Sequence, residues 1–154
     1  MALDDDIATL AAAPLFGLMD RDALRLISFA AERLRLAPGA ALFERGAAAE
    51  CGYVVLSGSV RVEARAAGAA VVEAGPAAVI GQTALLAAQQ RPSTARAGEA
   101  GAEVMVIPRT LMRRVLEVFP VAAAAIHDAL AEELAALVRD LSGSRAAQGS
   151  ARRE

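Results

Sequence analysis

The chain has no tryptophan and no lysine; all sixteen of its basic residues are arginine. It has one cysteine, Cys51, and one histidine, His127. A lone cysteine excludes an intrachain disulfide framework and any multi-cysteine metal or iron–sulfur site. A lone histidine likewise excludes a multi-histidine metal centre and leaves no credible Ser-His-Asp or Cys-His arrangement. We therefore expect no cofactor and no catalysis. Aromatic residues make up only 3%. Charge of one sign is also missing, since the net charge of −2 gives no general attraction to nucleic acid or an anionic membrane. Long apolar runs are absent too. The longest uncharged stretch, Ala74 to Gln90, is broken by Gly75, Pro76, Gly81 and Gln82 and makes a poor membrane span. The N-terminus, "MALDDDIATL", is acidic where a signal peptide would be basic, so a cytoplasmic protein is expected.

What remains is alanine, about a quarter of the chain, within an apolar share of 56% and a charged share of 22%. At 154 residues this is the size of one globular domain with a real core. Residues 3–32 read as short helices; Asp20 can cap one whose Ala23, Leu24, Ile27 and Ala30 recur at helical spacing. From Arg33 onward, short apolar runs are punctuated at Gly39, Gly46, Gly58, Gly68 and Gly75, the texture of a sandwich, jelly roll or barrel. "AEVMVI" (102–107) supplies the last strand. Helices return over 109–141: Pro108 opens one through Phe119, and Pro120 begins a longer one ending near Leu141. Ile126, Leu130, Leu134, Leu137 and Leu141 form one apolar stripe on it, suited to a partner helix or to the domain's own sheet. Residues 142–154 read as a loose tail.

The stretch "GQTALLAAQQRPSTARA" (81–97) gathers polar side chains in this apolar chain. Gly81 follows a β-like run and precedes a short helical segment, where backbone can approach a ligand and free N–H groups point outward together. Such a start attracts anions, phosphate above all. Arg91, the only basic side chain between Arg65 and Arg96, can grip a phosphate through two parallel hydrogen bonds. Ser93 and Thr94 add hydroxyl donors, and Gln82 can donate or accept. The alternative is an ordinary surface loop. Cys51 reads as a small buried residue, His127 as structural at a helix seam, and Met105 and Met112 as core filler.

This stretch resembles the phosphate-binding cassette of cyclic nucleotide-binding domains, and the match extends outward. "PLFGLMDRDAL" is similar to that family's N-terminal helices, "LAPGAALFERG" to its first strands, and "YVVLSGSVRV" to its central hairpin. "GPAAVIGQ" is similar to its Gly-Pro-Gly-Asp-x-x-Gly-Glu approach. The resemblance spans about residues 10–141. It implies an α+β fold: an eight-stranded antiparallel jelly roll flanked by N-terminal helices and two C-terminal helices, one domain over 1–141. It further implies that Arg91 neutralises a cyclic phosphate, that amides around Thr83 and Ala84 bond its oxygens, and that position 82 holds the ribose 2′-hydroxyl.

Gln82 stands where the family has glutamate, Pro92 offers no N–H to the phosphate, and Arg139 stands in the lid region, where it could stack on the base. The implied ligand is cyclic AMP, with cyclic GMP as the alternative. The implied assembly is a homodimer through the last helix, signalling to a protein effector. Few residues follow Leu141, so no DNA-recognition helix is expected. Two other readings stand beside this one: a degenerate domain that only scaffolds a partner, and a truncated transcription regulator.

Overall fold

The computed structural model describes residues 2–63 and 71–153, with 143–153 described as backbone only. The turn expected at Gly68 lies outside the described residues. Helix α1 (Ala2–Ala12), a 3₁₀ turn at Phe16–Leu18 and α2 (Arg21–Ala30) come first. Asp20 occupies the N-cap of α2, but its side chain makes no capping bond there. Among the described residues eight strands follow: β1 (Glu32–Leu36), β2 (Ala41–Phe43), β3 (Ala48–Ala49), β4 (Cys51–Val62), β5 (Val72–Ala74), β6 (Val79–Ile80), β7 (Gln89–Gln90) and β8 (Ala95–Pro108). A 3₁₀ turn, Gln82–Leu85, separates β6 from β7. The chain closes with α3 (Arg109–Val118) and α4 (Pro120–Arg153). The fold is the α+β jelly roll.

Strands β4 and β8 form its spine, paired antiparallel from Cys51↔Pro108 to Val62↔Ala95. The last strand is longer than "AEVMVI": it runs from Ala95 to Pro108, and residues 95–97 pair as well. Register shifts at Val55/Ser57 and Gly58/Val60 bend the pair. Gly58 (φ 73) sits at that bend, where a Cβ would run into the carbonyl of Gly101; glycine alone tolerates both the backbone and the contact.

Alternation along the spine divides the interior in two. Val54 and its register partner Met105 face the helices, and they are buried with Phe16, Ile27, Met112, Val115 and Ile126. One residue on, Val55 and Val104 face into the roll, with Tyr53, Val60, Ile80 and Ala95. Met105 and Met112 are core residues, 1% and 0% exposed. Asp6 on α1, itself buried, pairs with Arg33 on β1, and Arg33 and Arg35 both reach Glu103 on β8. This network ties the N-terminal helix to the sheet.

Two expectations need correcting. Helix α4 continues past Leu141 to Arg153, because Ser142–Arg153 contains no proline and isolated glycines weaken a helix without ending it. The apolar stripe is also divided. Ile126 is buried and Leu130 packs partly against the helical core, whereas Leu134, Leu137 and Leu141 are 54–62% exposed. Among the described residues, no helix is long and apolar enough to cross a membrane.

Candidate functional site

Gly81 ends β6 in the left-handed region (φ 73, ψ 39) and turns the chain into the 3₁₀ segment. The amide of Ala84 donates to the Gly81 carbonyl at 3.0 Å, and the amides of Leu86 and Ala87 donate to Thr83. Strand β7 then pairs with β3, Ala48 opposite Gln90 and Ala49 opposite Gln89. This brings Arg91 back beside Gly81. The main chain of Arg91 is fixed on both sides, its N–H donating to Ala47 and its carbonyl accepting from Gly46, each at 2.8 Å.

The Arg91 side chain points inward, and the residue is only 4% exposed. Nη2 donates to the Cys51 carbonyl at 2.7 Å and lies 3.6 Å from Cys51 Sγ. The guanidinium carbon stands 4.3 Å from the centre of the Phe43 ring and 5.4 Å from that of Tyr53. Those two rings stack on each other at 5.9 Å. Ring faces attract a cation but do not satisfy its N–H groups. Nε and Nη1 are buried and have no hydrogen-bond partner, and among the described residues no carboxylate pairs with this arginine. A buried cation with unused donors is costly unless an anion completes it.

Arg91 stands at one end of a cleft of about 650 Å³, within the range of small-molecule sites, roughly 300–1,000 Å³. Its walls are largely apolar, formed by Val62, β5 and Ala78 to Ile80, with Phe43 beside the arginine. Polar groups are few. Thr83 and Ser93 offer hydroxyls, and Gln89 Nε2 donates to Thr83 Oγ1 at 2.5 Å. Glu73 on β5 accepts from Ser59 Oγ at 2.8 Å and faces Arg61 at 3.9 Å. Burial, followed by a hydrogen bond with Cys51, pushes the Tyr53 phenol up to about 12, so the ring under Arg91 is neutral at physiological pH.

The structure brings Gly81, Thr83, Arg91, Pro92 and Ser93 together on the cleft wall. It does not bring the others there. Gln82 is half-buried and Ala84 buried within the turn, both off the wall. Thr94 accepts from the Arg45 amide at 3.0 Å, which ties two loops together. Arg139 is exposed on α4, beside Glu132 and Glu133 at a separate depression. His127, expected at a helix seam, is instead exposed: its side chain is 84% accessible and its Nδ1 is 3.8 Å from Asp128. Sequence reasoning missed Phe43, the Cys51 carbonyl and Glu73. Phe43 and Tyr53, two of the five Phe and Tyr rings in the chain, stack beside the buried arginine, a proximity that sequence spacing does not give. Among the described residues no group of three or more His, Cys, Asp or Glu side chains could hold a metal.

Residues 33–118 match the family profile described as the cyclic nucleotide-binding domain. A cyclic nucleotide-binding-like protein from Brucella abortus bv. 1 str. 9-941 is 36% identical, with a TM-score of 0.65, over 74% of this chain and 99% of its own. The N-terminal domain of a transcriptional regulator from Streptomyces coelicolor A3(2) is 24% identical, with a TM-score of 0.77, over 86% of this chain and 94% of its own. The regulatory domain of Toxoplasma gondii PKA, solved with cAMP, is 23% identical, with a TM-score of 0.67, over 73% of this chain and 44% of its own. No curated protein matches this chain.

Proposed function

The chain belongs to the cyclic nucleotide-binding domain family, and on that premise we propose that it is a non-enzymatic sensor that takes a cyclic mononucleotide, phosphate first, into the Arg91 cleft. One observation carries this reading: a buried guanidinium, oriented from one side by the Cys51 carbonyl, with Nε and Nη1 unsatisfied beside the cleft. A cyclic phosphate would supply the missing acceptors as a charge-assisted pair. Ser93 lines the same end of the cleft and would give a hydroxyl donor where Pro92 has no N–H. The apolar walls beyond suit a ribose and a flat base. The Toxoplasma domain was solved with cAMP, which favours the adenine nucleotide here, with cyclic GMP second.

Signalling is assigned to α4, whose exposed Leu134, Leu137 and Leu141 would pair with the same face of a second copy and relay to a protein effector. Arg139, on that exposed helix, would cover the base only through a rearrangement of α4. A second reading, a domain that scaffolds a partner without nucleotide, is favoured by Gln82 lying off the wall and by Pro92. Calorimetry with cyclic AMP, cyclic GMP and 5′-AMP separates the two. Saturable binding of a cyclic nucleotide, lost in Arg91→Ala, supports the sensor; no heat from any of the three supports the scaffold. Light scattering on a Leu134→Glu, Leu137→Glu variant tests the dimer, which should become a monomer.

A further inference from the structure

Three consecutive carbonyls where β3 passes into β4 are each held by an arginine. Arg109 Nη1 donates to Ala49 at 3.0 Å, the Arg109 main-chain N–H donates to Glu50 at 2.9 Å, and Arg91 Nη2 donates to Cys51 at 2.7 Å. The same Nη1 of Arg109 also reaches the carbonyls of Ala84 at 3.1 Å and Ala87 at 3.2 Å, at the far end of the 3₁₀ turn that begins at Gly81. Arg109 is the first residue of α3, and no acidic residue accompanies it in the first turn. A cation there works against the helix dipole, so local helix formation does not explain an arginine at this place. Its side chain does explain it, because carbonyls from two separate segments, Ala49 and the end of the 3₁₀ turn at Ala84 and Ala87, converge on its Nη1.

The segment held by Arg109 also packs tightly on the turn. A Cβ at Gly52 would lie 2.7 Å from Leu85 Cγ and 3.2 Å from the Gly81 carbonyl. We infer that Arg109 is a positioning residue for the site: it fixes the 49–51 segment whose last carbonyl aims Arg91, and it fixes the turn whose leading residue, Gly81, lies against the Arg91 guanidinium. It does not line the cleft. The inference rests on the proposed sensor reading only where affinity is concerned, since the positioning exists in the ligand-free protein.

Tyr53 gives a readout that does not depend on ligand. It is the only tyrosine, the chain has no tryptophan, and its ring lies 5.4 Å from the Arg91 guanidinium. The experiment compares the near-ultraviolet circular dichroism of the Tyr53 band in the full-length parent, Arg109→Ala, Arg109→Lys and Met112→Ala. Met112 is fully buried in the helical core and has no part in these carbonyl contacts, so its variant controls for lost stability. Arg109→Ala should change the Tyr53 band, Arg109→Lys should restore part of it through single hydrogen bonds, and Met112→Ala should leave it unchanged. If Arg109→Ala does not fold, the Lys variant carries the test, because an intermediate band is still expected.

A parent-like band in both Arg109 variants, or an equal change in Met112→Ala, overturns the inference. With cyclic AMP as the probe, Arg109→Ala should bind about tenfold more weakly, the effect of losing a supporting contact behind a ligand-binding group. Failure of the parent to bind any cyclic nucleotide would overturn the sensor reading and leave the spectroscopic result standing.

Discussion

The guanidinium carbon of Arg91 lies 4.3 Å above the Phe43 ring, with Nη2 tied to the Cys51 carbonyl and Nη1 free. The arginine is thus held on two sides and open on the third. Arg91→Ala should weaken cyclic nucleotide binding by roughly 2–3 kcal/mol, because a partly buried phosphate loses its charge partner. Arg91→Lys keeps the charge but loses the fork and its flat packing on the ring, so it should recover only part of that loss. Titration calorimetry on both variants checks the order; parent-like affinity in Arg91→Ala would remove the anchor.

Gly81 faces the same guanidinium. A Cβ there would stand 2.5 Å from Nη1 of Arg91, and the backbone is left-handed at φ 73. Gly81→Ala should therefore cost about 1–2 kcal/mol in stability from the backbone alone. It should also push Arg91 off its position and weaken binding. Chemical denaturation together with calorimetry should show both losses; a loss of stability with unchanged affinity would separate the turn from the anchor.

Much of this was legible in the sequence, and the reasons are specific. Glycine-punctuated short runs gave the roll, and Arg91 stood out because no other basic residue lies between Arg65 and Arg96. The orientation of the turn was not legible. The resemblance implies a role for position 82, but which side chains of a short 3₁₀ segment, at about three residues per turn, face the cleft is set by its packing: Thr83 lines the wall and Gln82 does not. Arg109 looked like an ordinary helix start, since its partners are carbonyls, which no residue type betrays. Phe43 comes to Arg91 only through the pairing of β2 with β8, a long-range contact that local pattern does not encode.

Ala77 offers a stability test. It holds φ 72 in "GPAAVIGQ", at the position where the family's approach has its second glycine. A left-handed alanine costs about 1–2 kcal/mol, and glycine's greater unfolded-state freedom takes back about 0.5–1. Ala77→Gly should stabilise the protein by about 0.5–1 kcal/mol, raising the melting temperature by about 1–4 °C for a chain of this size. Calorimetric melting that shows a clear decrease would mean the Ala77 methyl group contributes more in packing than its backbone costs in strain.

Tyr53 predicts an alkaline transition. Its phenol is raised from 10.0 to about 12 in the folded state, chiefly by burial. The folded protein therefore keeps its proton while the unfolded chain loses it, so the stabilising contribution is complete below pH 10 and is lost as pH rises towards 12. Ultraviolet titration reads this one residue directly, because the chain has no other tyrosine and no tryptophan. A native-state midpoint near 10 would show that burial of the ring is outweighed, by solvent reaching the phenol or by the Arg91 charge beside it.

Gln82 gives the sharpest test of how the turn meets a ligand. The family resemblance would place position 82 on the ribose hydroxyl, and there a carboxylate would bond more strongly than an amide. In the structure, Gln82 sits half-buried off the wall, while Thr83, one residue on, lines it. A carboxylate at 82 then has no path to the ribose, and its repulsion of the phosphate is damped by solvent and salt. Gln82→Glu should accordingly change cyclic AMP affinity by less than about twofold, equally for cyclic AMP and its 2′-deoxy analogue. Thr83→Val, which removes a hydroxyl from the wall and strands the Gln89 amide, should weaken both by about 1 kcal/mol, or roughly fivefold. A gain in Gln82→Glu seen with cyclic AMP and absent with the deoxy analogue would overturn this, and would mean that the turn rotates on binding to carry position 82 onto the ribose.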